Sequence, residues 1–398
     1  MTTAPPRAHD VPRRLVVAGL SVRALAESAR RGGWEVIALD LFGDTDTRRA
    51  SIRWASIGEP SELRVDAARL RGELQAAARL PGVEGWVPAS GFEGAPELLE
   101  AGGTILPCLA IAAAAMRRLR DPAVFFGTLD RHGLAHPRIT LETPTHPAGW
   151  LAKRAGGCGG LHVRPAGQAL ADPASRHADT YFQRWQDGTP MSALFVADGR
   201  RFRVVALNRL LVRPVGPLAH VYAGAIGPVS NDGLERAVDS ALAVLVPEFG
   251  LRGLASLDFI ADDSRALLLE VNPRPPATLQ LHDQSWPQGL LRAHVDAVRG
   301  HLPAAAPSCG PGLRGHLTVF ADRPGLFGGP APHDASDRSH VHDLPAPGTR
   351  LAVGEPICTV SAAAADIDDA LRLLEARAAR VRRRVAPQRA ATAEELSA

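Results

Sequence analysis

The chain has 398 residues, of which 45% are hydrophobic and 22% charged, and its net charge at pH 7 is +3. This length allows two or three domains with buried cores, and the composition is that of a globular protein. The small net charge argues against a nucleic-acid or membrane partner, and no apolar run reaches the ~18 residues of a membrane span. MTTAPPRAHDVPRR lacks the apolar core of a signal peptide, and the four cysteines lack metal-site or disulfide spacing, so a reduced, cytoplasmic protein is predicted.

The first part of the chain alternates between strand and helix patterns. Residues 14–41 read as a buried strand, a helix ended by glycine and a second strand, and the polar GDTDT after them is expected to be a loop. Residues 63–80 read as a helix and VEGWVPAS as a further strand. The first turn, GLSVRA, lacks G-x-G-x-x-G, so no dinucleotide site is expected. The pattern predicts an open α/β domain over residues 1–108.

The middle of the chain, residues 109–302, reads as a two-part α+β core. Its first part, 109–180, opens with two helices, and Asp121-Pro122 caps the second of them. Its second part, 181–302, begins with the β segment YFQRWQDGTPMSALFV and contains an amphipathic helix over 234–249.

A glycine-rich loop in the first part follows a strand that carries the only lysine of the chain, Lys153. Arginine elsewhere replaces lysine, which we attribute to a GC-rich genome; a lysine kept against that bias is a candidate for specific chemistry. In GWLAKRAGGCGGLHVRP the lysine precedes the glycines and a strand follows them, the reverse of a Walker A loop. The glycines would let backbone N–H groups fold over phosphates, beside the compact charge of the lysine. These glycines are Gly156, Gly157, Gly159 and Gly160. The alternative is a hairpin tip without a ligand.

Residues 253–276, GLASLDFIADDSRALLLEVNPRPP, read as two short strands around the polar turn Asp262-Asp263-Ser264. Because side chains alternate along a strand, Glu270 and Asn272 leave the same face, and a turn centred on Ser264 places Asp258 opposite Glu270. Two carboxylates and an amide oxygen suit Mg²⁺, which takes its remaining ligands from phosphates and water. Asn272 is also one of three asparagines in the chain. The alternative is a solvated hairpin whose polar groups face water.

The proline-rich run after these strands sets Arg274 on a stiff turn. A guanidinium held in this way suits the bidentate binding of a carboxylate or phosphate.

Residues 303–398 are predicted to form a small α+β region and a tail after a proline- and alanine-rich joint. The strands GHLTVFA and GEPICTVSA precede a closing helix whose apolar spacing extends to Val385. A histidine- and aspartate-rich loop between the strands could bind a metal, but an ordinary surface loop is the favoured interpretation. Its residues are His333, Asp334, Asp337, His340, His342 and Asp343.

Together these motifs resemble the ATP-grasp superfamily. The resemblance depends on the glycine loop after the lysine-bearing strand, the QRWQDGTPMSA strand and the D…E-V-N-P-R pattern of residues 258–274. Within the superfamily the chain is most similar to an "ATP-dependent carboligase" group related to biotin carboxylase, through NPRPPATLQLHD and HDLPAPGTRLAVGEPICTVSA. The resemblance implies an α/β ATP-grasp architecture: a pre-ATP-grasp domain over 1–108, a two-part core over 109–302 and a C-terminal region over 303–398.

The resemblance also implies roles for individual residues. Lys153 would hold the α- and β-phosphates of ATP, and the glycine loop would close over the triphosphate. Mg²⁺, or Mn²⁺ in its place, would be bound by Asp258, Glu270 and Asn272, and Arg274 would steady the transferred phosphoryl group. The linker whose backbone meets adenine would be Gln183, Arg184 and Trp185.

Two positions depart from the family pattern. The lysine expected near Asp121-Pro122 is missing, and Arg117, Arg118 and Arg120 are the candidates to replace it. Arg184 stands where many members carry an acidic residue.

The resemblance implies an ADP-forming carboxylate–amine ligase that works through an acyl phosphate on small-molecule substrates. Its setting would be the biosynthesis of a one-carbon cofactor such as methanopterin or methanofuran, and a homodimer is a candidate assembly because dimers are common in related enzymes. Two other functions stay open: a biotin-carboxylase-like enzyme that activates bicarbonate, and a nucleotide-binding scaffold or sensor without turnover.

Overall fold

The computed structural model describes residues 11–172, 177–262, 265–307, 310, 312–329 and 339–387. Some sequence-based predictions fall outside these residues. They concern the first ten residues, Asp263 and Ser264 of the predicted turn, Cys309, the loop residues His333, Asp334 and Asp337, and the tail after residue 387.

A parallel sheet forms the first part of the chain, as predicted. Its strands, in the order β3-β2-β1-β4, are β1 (Arg14–Ala18), β2 (Glu35–Asp40), β3 (Arg53–Ser56) and β4 (Val83–Pro88). Its helices are α1 (Arg23–Arg31), α2 (Thr45–Arg49), α3 (Ala67–Ala78) and α4 (Glu97–Gly103). The chain leaves β1 towards β2 on one side and β4 lies on the other, so the loops after β1 and β4 flank a crevice at the carboxyl ends of the strands.

Two local predictions in this domain were wrong. GDTDT is not a loop throughout, because α2 begins at Thr45. The helix predicted from Leu63 begins instead at Ala67: Leu63 has a φ of 47°, outside the right-handed helical region, and the carboxylate of Asp66 caps the helix by accepting from the N–H of Arg69.

The first part of the core contains a small antiparallel sheet and three helices. Its sheet has the order β5-β8-β6-β7, with β5 (Ile139–Thr140), β6 (Trp150–Arg154), β7 (Arg164–Pro165) and β8 (Thr180–Arg184). Its helices are α5 (Ala113–Arg120), α6 (Pro122–Arg131) and α7 (Ala166–Ala171). The Asp121 carboxylate accepts from the N–H groups of Ala123 and Val124, which confirms the predicted cap.

A long antiparallel sheet joins the rest of the core to the C-terminal region. Its order is β13-β12-β9-β10-β11-β14-β18-β16. The core strands are β9 (Thr189–Asp198), β10 (Phe202–Val215), β11 (Leu218–Val229), β12 (Arg252–Asp262) and β13 (Arg265–Asn272). The amphipathic helix α8 (Asp232–Phe249) buries its apolar face on this sheet, and Asn231 caps it by accepting from the N–H of Leu234.

The C-terminal region continues this sheet, because β14 pairs with β11. Residues 279–298 connect it to the core through α9 (Leu279–His282), a 3-10 helix (Asp283–Ser285) and α10 (Leu290–Val298). Its own elements are β14 (Leu313–Phe320), β15 (Gly325–Phe327), β16 (Val341–His342), β17 (Arg350–Leu351), β18 (Pro356–Ala364), α11 (Ile367–Arg382) and β19 (Val385–Pro387). Val385 was predicted in the closing helix but lies in β19, where its strand pairs with β15.

No helix in the described ranges combines the length and apolarity that a membrane crossing requires.

Candidate active site

Asp258 and Glu270 are cross-strand partners in the β12–β13 hairpin, as the sequence predicted. Asn272 lies opposite Ser256, two residues along the same ladder. The pairing changes register directly after Asp258, so the hairpin bends beside the carboxylates. Both carboxylates and the amide therefore meet at one end of the large sheet.

Asp258 is fixed by two side-chain donors. The hydroxyl of Ser192, on the neighbouring strand β9, donates to Oδ1 at 2.6 Å, and Nδ2 of Asn272 donates to Oδ2 at 3.0 Å. Burial and the nearby charge of Glu270 raise the pKa of Asp258 to about 6. Two acidic groups held this close favour a cation between them.

Arg120, at the end of α5, lies directly against the hairpin. Its guanidinium donates to Oε2 of Glu270 at 3.1 Å and to Oδ1 of Asn272 at 3.0 Å. Burial works against the charge of Glu270, but Arg120 and Lys153 lower its pKa below the ordinary value for glutamate. Nε of Arg120 is buried without a hydrogen-bond partner, which is a sign of a site whose polar groups are incompletely matched.

The contacts of Arg117, Arg118 and Arg120 distinguish these three candidates for the role of the missing lysine. Arg117 pairs with Glu100 and Arg118 with Glu248, both at the surface. Only Arg120 of the three contacts the hairpin.

Lys153 is buried on β6 near the hairpin. Its Nζ donates to Oε1 of Gln183 at 3.2 Å, and the side chain is close to the ring of Tyr181. Burial opposes its charge, but Tyr181, Glu270 and Asp258 raise its pKa above the ordinary lysine value. The only primary amine on a side chain is therefore a stable buried cation beside the two carboxylates.

The glycine loop after β6 packs where side chains have no room. A Cβ on Gly156 would lie 2.7 Å from Cα of Gly94, in the loop after β4, and a Cβ on Gly157 would collide with the ring of His162. Gly160 has a φ of +74°, and a Cβ there would lie 1.9 Å from the carbonyl oxygen of His220 on β11. The carbonyl of Gly159 accepts from the N–H of Tyr222 at 3.0 Å. The loop thus bridges the first domain and the large sheet.

Cys158, at the tip of this loop, is not activated. Burial and the charge of Glu93 raise the pKa of its thiol to about 12, so it stays protonated at neutral pH.

Arg274 reaches the first domain through a residue that sequence reasoning missed. Its Nε donates to Oε1 of Glu93 at 2.8 Å, and Gly91 donates its N–H to the other oxygen. The Glu93 side chain is 1% exposed. Burial opposes its charge, but Arg274 and Arg120 lower its pKa below the ordinary value. The position of Glu93, after a strand of a parallel sheet, was the only sequence signal for it.

The linker Gln183–Trp185 begins in β8, which lies between β5 and β6 in the small sheet. The N–H groups of Arg184 and Trp185 donate to the carbonyls of Arg138 and Gly149. The Arg184 side chain lies on residues 148–150, donating to the carbonyl of Ala148 and stacking over Trp150. Trp185 is 47% exposed and its ring lies 5.3 Å from that of His220. The exposed indole beside His220 leaves a surface on which a flat ring can stack.

The donor set of the hairpin fits magnesium. The ligating atoms would be hard oxygens of Asp258, Glu270 and Asn272, and each carboxylate oxygen retains a lone pair beyond its hydrogen bond. In the described part of the chain no three His, Cys, Asp or Glu side chains converge on one point, so no complete protein cage for a metal is present there. A site with few protein ligands is typical of Mg²⁺ that shares phosphate oxygens.

A family model described as an ATP-grasp domain matches residues 121–278. These residues are an ATP-grasp domain. The matched segment contains Lys153, the glycine loop and the whole β12–β13 hairpin, so the resemblance found in the sequence is confirmed. No curated protein sequence matches the chain significantly.

Solved structures share the fold over nearly the whole chain. Biotin carboxylase from Campylobacter jejuni, in a βγ-ATP complex, is 13% identical, with 92% of this chain and 90% of that one covered and a TM-score of 0.71. The biotin carboxylase domain of Hydrogenobacter thermophilus 2-oxoglutarate carboxylase, with MgADP and bicarbonate, is 11% identical, covering 93% and 90%, with a TM-score of 0.70. L-amino acid ligase from Bacillus licheniformis is 14% identical, covering 92% and 96%, with a TM-score of 0.65. The predicted ATP-grasp architecture is therefore confirmed, and the biotin carboxylase structures share its fold.

Proposed function

We propose that this ATP-grasp protein is an ADP-forming ligase that joins a small-molecule carboxylate to an amine. The observation that carries the proposal is the approach of Lys153 to the Asp258–Glu270 pair beneath a glycine loop. Their pKa values are shifted by each other's charge, so the cation and the two carboxylates form one electrostatic unit. Such a unit suits a triphosphate accompanied by Mg²⁺.

A carboxylate needs activation because oxide is a very poor leaving group. Transfer of the terminal phosphoryl group of ATP to the carboxylate oxygen gives an acyl phosphate and ADP. An amine then attacks the acyl carbon, phosphate leaves, and the amine loses its extra proton. Phosphoryl transfer requires in-line positioning and charge neutralisation rather than a covalent protein partner.

The described side chains can meet these requirements. Lys153 would hold phosphate oxygens, and Gly156, Gly157, Gly159 and Gly160 would cover the triphosphate. Asp258, Glu270 and Asn272 would hold Mg²⁺, which when bound neutralises phosphate charge. Gln183, Arg184 and Trp185 would border adenine, with the exposed indole available for stacking.

Arg120 would act beside these residues. It contacts Glu270 and Asn272, so a magnesium ion at these oxygens has to share them with the guanidinium or displace it. Because arginine stays charged, Arg120 would also stabilise the negative charge of the transferred group, beside Arg274.

Bicarbonate activation is the second candidate function. The likeness to two biotin carboxylase structures at TM-scores of 0.71 and 0.70 favours it, although the likeness to an amino acid ligase extends over the same share of this chain. A nucleotide-binding scaffold would need no substrate to accept the phosphoryl group. A measurement of ATP turnover therefore distinguishes the scaffold from either enzyme. Synthesis of a one-carbon cofactor such as methanopterin or methanofuran, a cytoplasmic location and a homodimer stay predictions.

An ADP-release screen tests the proposal. The full chain with ATP and Mg²⁺ is assayed against amino acids, pterin and furan cofactor precursors, and bicarbonate, each with and without an amine. Release that depends on both an acid and an amine supports the ligase. Release that depends on bicarbonate alone supports the carboxylase, and nucleotide binding without release in any mixture would leave the scaffold.

A further inference from the structure

A cavity lies apart from the residues proposed to bind the nucleotide. It has a volume of about 670 Å³ and lies where α1, residues 279–284, β14 and β18 meet. Its described lining includes none of Lys153, Asp258 and Glu270. This volume is within the range of small-molecule sites.

The cavity carries excess positive charge. Four arginines line it, Arg23, Arg30, Arg31 and Arg314, against two carboxylates, Glu27 and Asp283. Arg23 is neutralised, because it donates to Asp343 and to Glu27 at 2.8 Å each.

Arg30 and Arg314 differ from Arg23. Among the residues that the structure describes, neither has a carboxylate within 4.0 Å. Each donates only to a backbone carbonyl in that part of the chain, Arg30 to Arg49 at 3.2 Å and Arg314 to Leu281 at 3.4 Å. A neutral carbonyl satisfies one donor but does not balance the charge, and four N–H donors remain on each guanidinium.

His316 supplies a third group on the same wall. It is 2% exposed and its Nε2 shares a hydrogen bond of 2.8 Å with the hydroxyl of Tyr222, while Nδ1 is buried without a partner. Buried polar atoms in native proteins nearly always have a partner, so this nitrogen marks an incompletely matched polar position next to the cavity wall.

We propose that this cavity binds a small organic anion whose carboxylate or phosphate group is held by Arg30 and Arg314, beside His316. Arginine is suited to both groups because its planar fork matches two acceptor oxygens. The ligand would lie one side chain from the glycine loop, because Tyr222 joins His316 to the carbonyl of Gly159. This binding site is independent of the reaction catalysed at Lys153.

Calorimetric titration of the full chain with pyrophosphate and with citrate, at constant ionic strength and with the nucleotide site saturated by ADP, tests the site. Both arginines are at least partly exposed, so the double variant Arg30→Ala/Arg314→Ala should fold, and thermal melting checks this. We expect it to bind the anion at least about tenfold more weakly than the wild type, the effect of losing charge-assisted hydrogen bonds. Arg200→Ala/Arg372→Ala removes the same charge from the exposed surface and should keep the wild-type affinity.

The two anions distinguish the ligand class, since binding of pyrophosphate alone assigns a phosphate ligand and binding of citrate assigns a carboxylate ligand. In ¹⁵N-histidine spectra, assigned with His316→Gln, the His316 resonances should shift on addition of the anion that binds. The proposal is overturned if the wild type binds neither anion, if the control pair loses as much affinity as the cavity pair, or if Arg30→Ala/Arg314→Ala keeps the wild-type affinity.

Discussion

Glu93 and Arg274 form a buried ion pair, with Nε of Arg274 2.8 Å from Oε1 of Glu93, that ties the first domain to the turn after the β12–β13 hairpin. The two residues are 181 positions apart in the sequence. The pair fixes the guanidinium at the crevice between the parallel sheet and the core. Because the pair joins these two parts of the chain, the geometry of the candidate active site depends on how the first domain docks on the core.

Glu93→Gln tests this dependence. The amide keeps the shape but leaves a buried guanidinium without its charge partner, so we expect a loss of about 2–4 kcal/mol in the free energy of unfolding, measured by urea denaturation. Glu100→Gln, which removes an exposed partner of Arg117, should cost less than about 1 kcal/mol. Equal effects of the two substitutions would show that the Glu93–Arg274 pair does not hold the domains.

Glu270→Gln tests the metal assignment. The amide removes the charge that a magnesium ligand needs, so ATP turnover should fall by at least about a hundredfold. The thermal midpoint should fall less than in Glu93→Gln, because the Glu270 side chain is 26% exposed whereas that of Glu93 is 1% exposed. Glu248→Gln, at a surface pair with Arg118, serves as the control. Near-normal ATP consumption by Glu270→Gln would refute the assignment.

Lys153→Ala tests the phosphate assignment. Loss of a charged hydrogen bond should weaken the binding of ADP by about 1–3 kcal/mol, measured by calorimetry. Lys153→Arg keeps the charge and should recover part of this loss. An unchanged affinity in Lys153→Ala would remove the lysine from the nucleotide site.

The glycine loop allows a comparison of two neighbouring substitutions. Gly159 and Gly160 both have positive φ, at +64° and +74°, but a Cβ on Gly159 meets open space whereas one on Gly160 would lie 1.9 Å from the carbonyl of His220. Gly159→Ala should therefore cost about 1 kcal/mol of loop stability, and Gly160→Ala should cost more because the backbone must move. Hydrogen exchange of residues 155–162 and the affinity for ADP measure the difference. Equal protection in both variants would contradict the packed position of the loop.

Asp44 predicts a pH dependence of stability. Burial and the charges of Asp343 and Asp40 raise its pKa to about 8. Between the ordinary aspartate pKa and this value the folded chain holds a proton that the unfolded chain has lost, so Asp44 makes the protein less stable as the pH rises from about 4 to about 8. Asp44→Asn removes this contribution of Asp44 to the dependence of stability on pH.

We expect Asp44→Asn to raise the thermal midpoint more at pH 8 than at pH 5. Asp368→Asn, on the exposed side of α11, should shift the midpoint equally at both values. A gain for Asp44→Asn that is the same at pH 5 and pH 8 would show that this carboxyl is ionised in the folded protein.

Local patterns were sufficient for the elements that repeat over short distances. The hairpin that pairs Asp258 with Glu270 follows from the two-residue period of a strand, and the cap of α6 follows from Asp121 next to its helix. The errors came where a local pattern was ambiguous. Val385 continues the apolar spacing of α11 but is held in β19 by pairing with β15, a contact that helical periodicity does not encode.

By itself the sequence determined which residues could bind a triphosphate and its magnesium: one lysine, a set of glycines and the acidic hairpin, each recognisable within a few positions of chain. Only the tertiary structure decided which distant groups complete the site. Arg120 meets Glu270 across 150 positions, Glu93 meets Arg274 across 181, and the cavity of Arg30, Arg314 and His316 lies where α1, residues 279–284, β14 and β18 meet. Such contacts depend on how the domains dock, which is set by the packing of whole surfaces rather than by any short pattern.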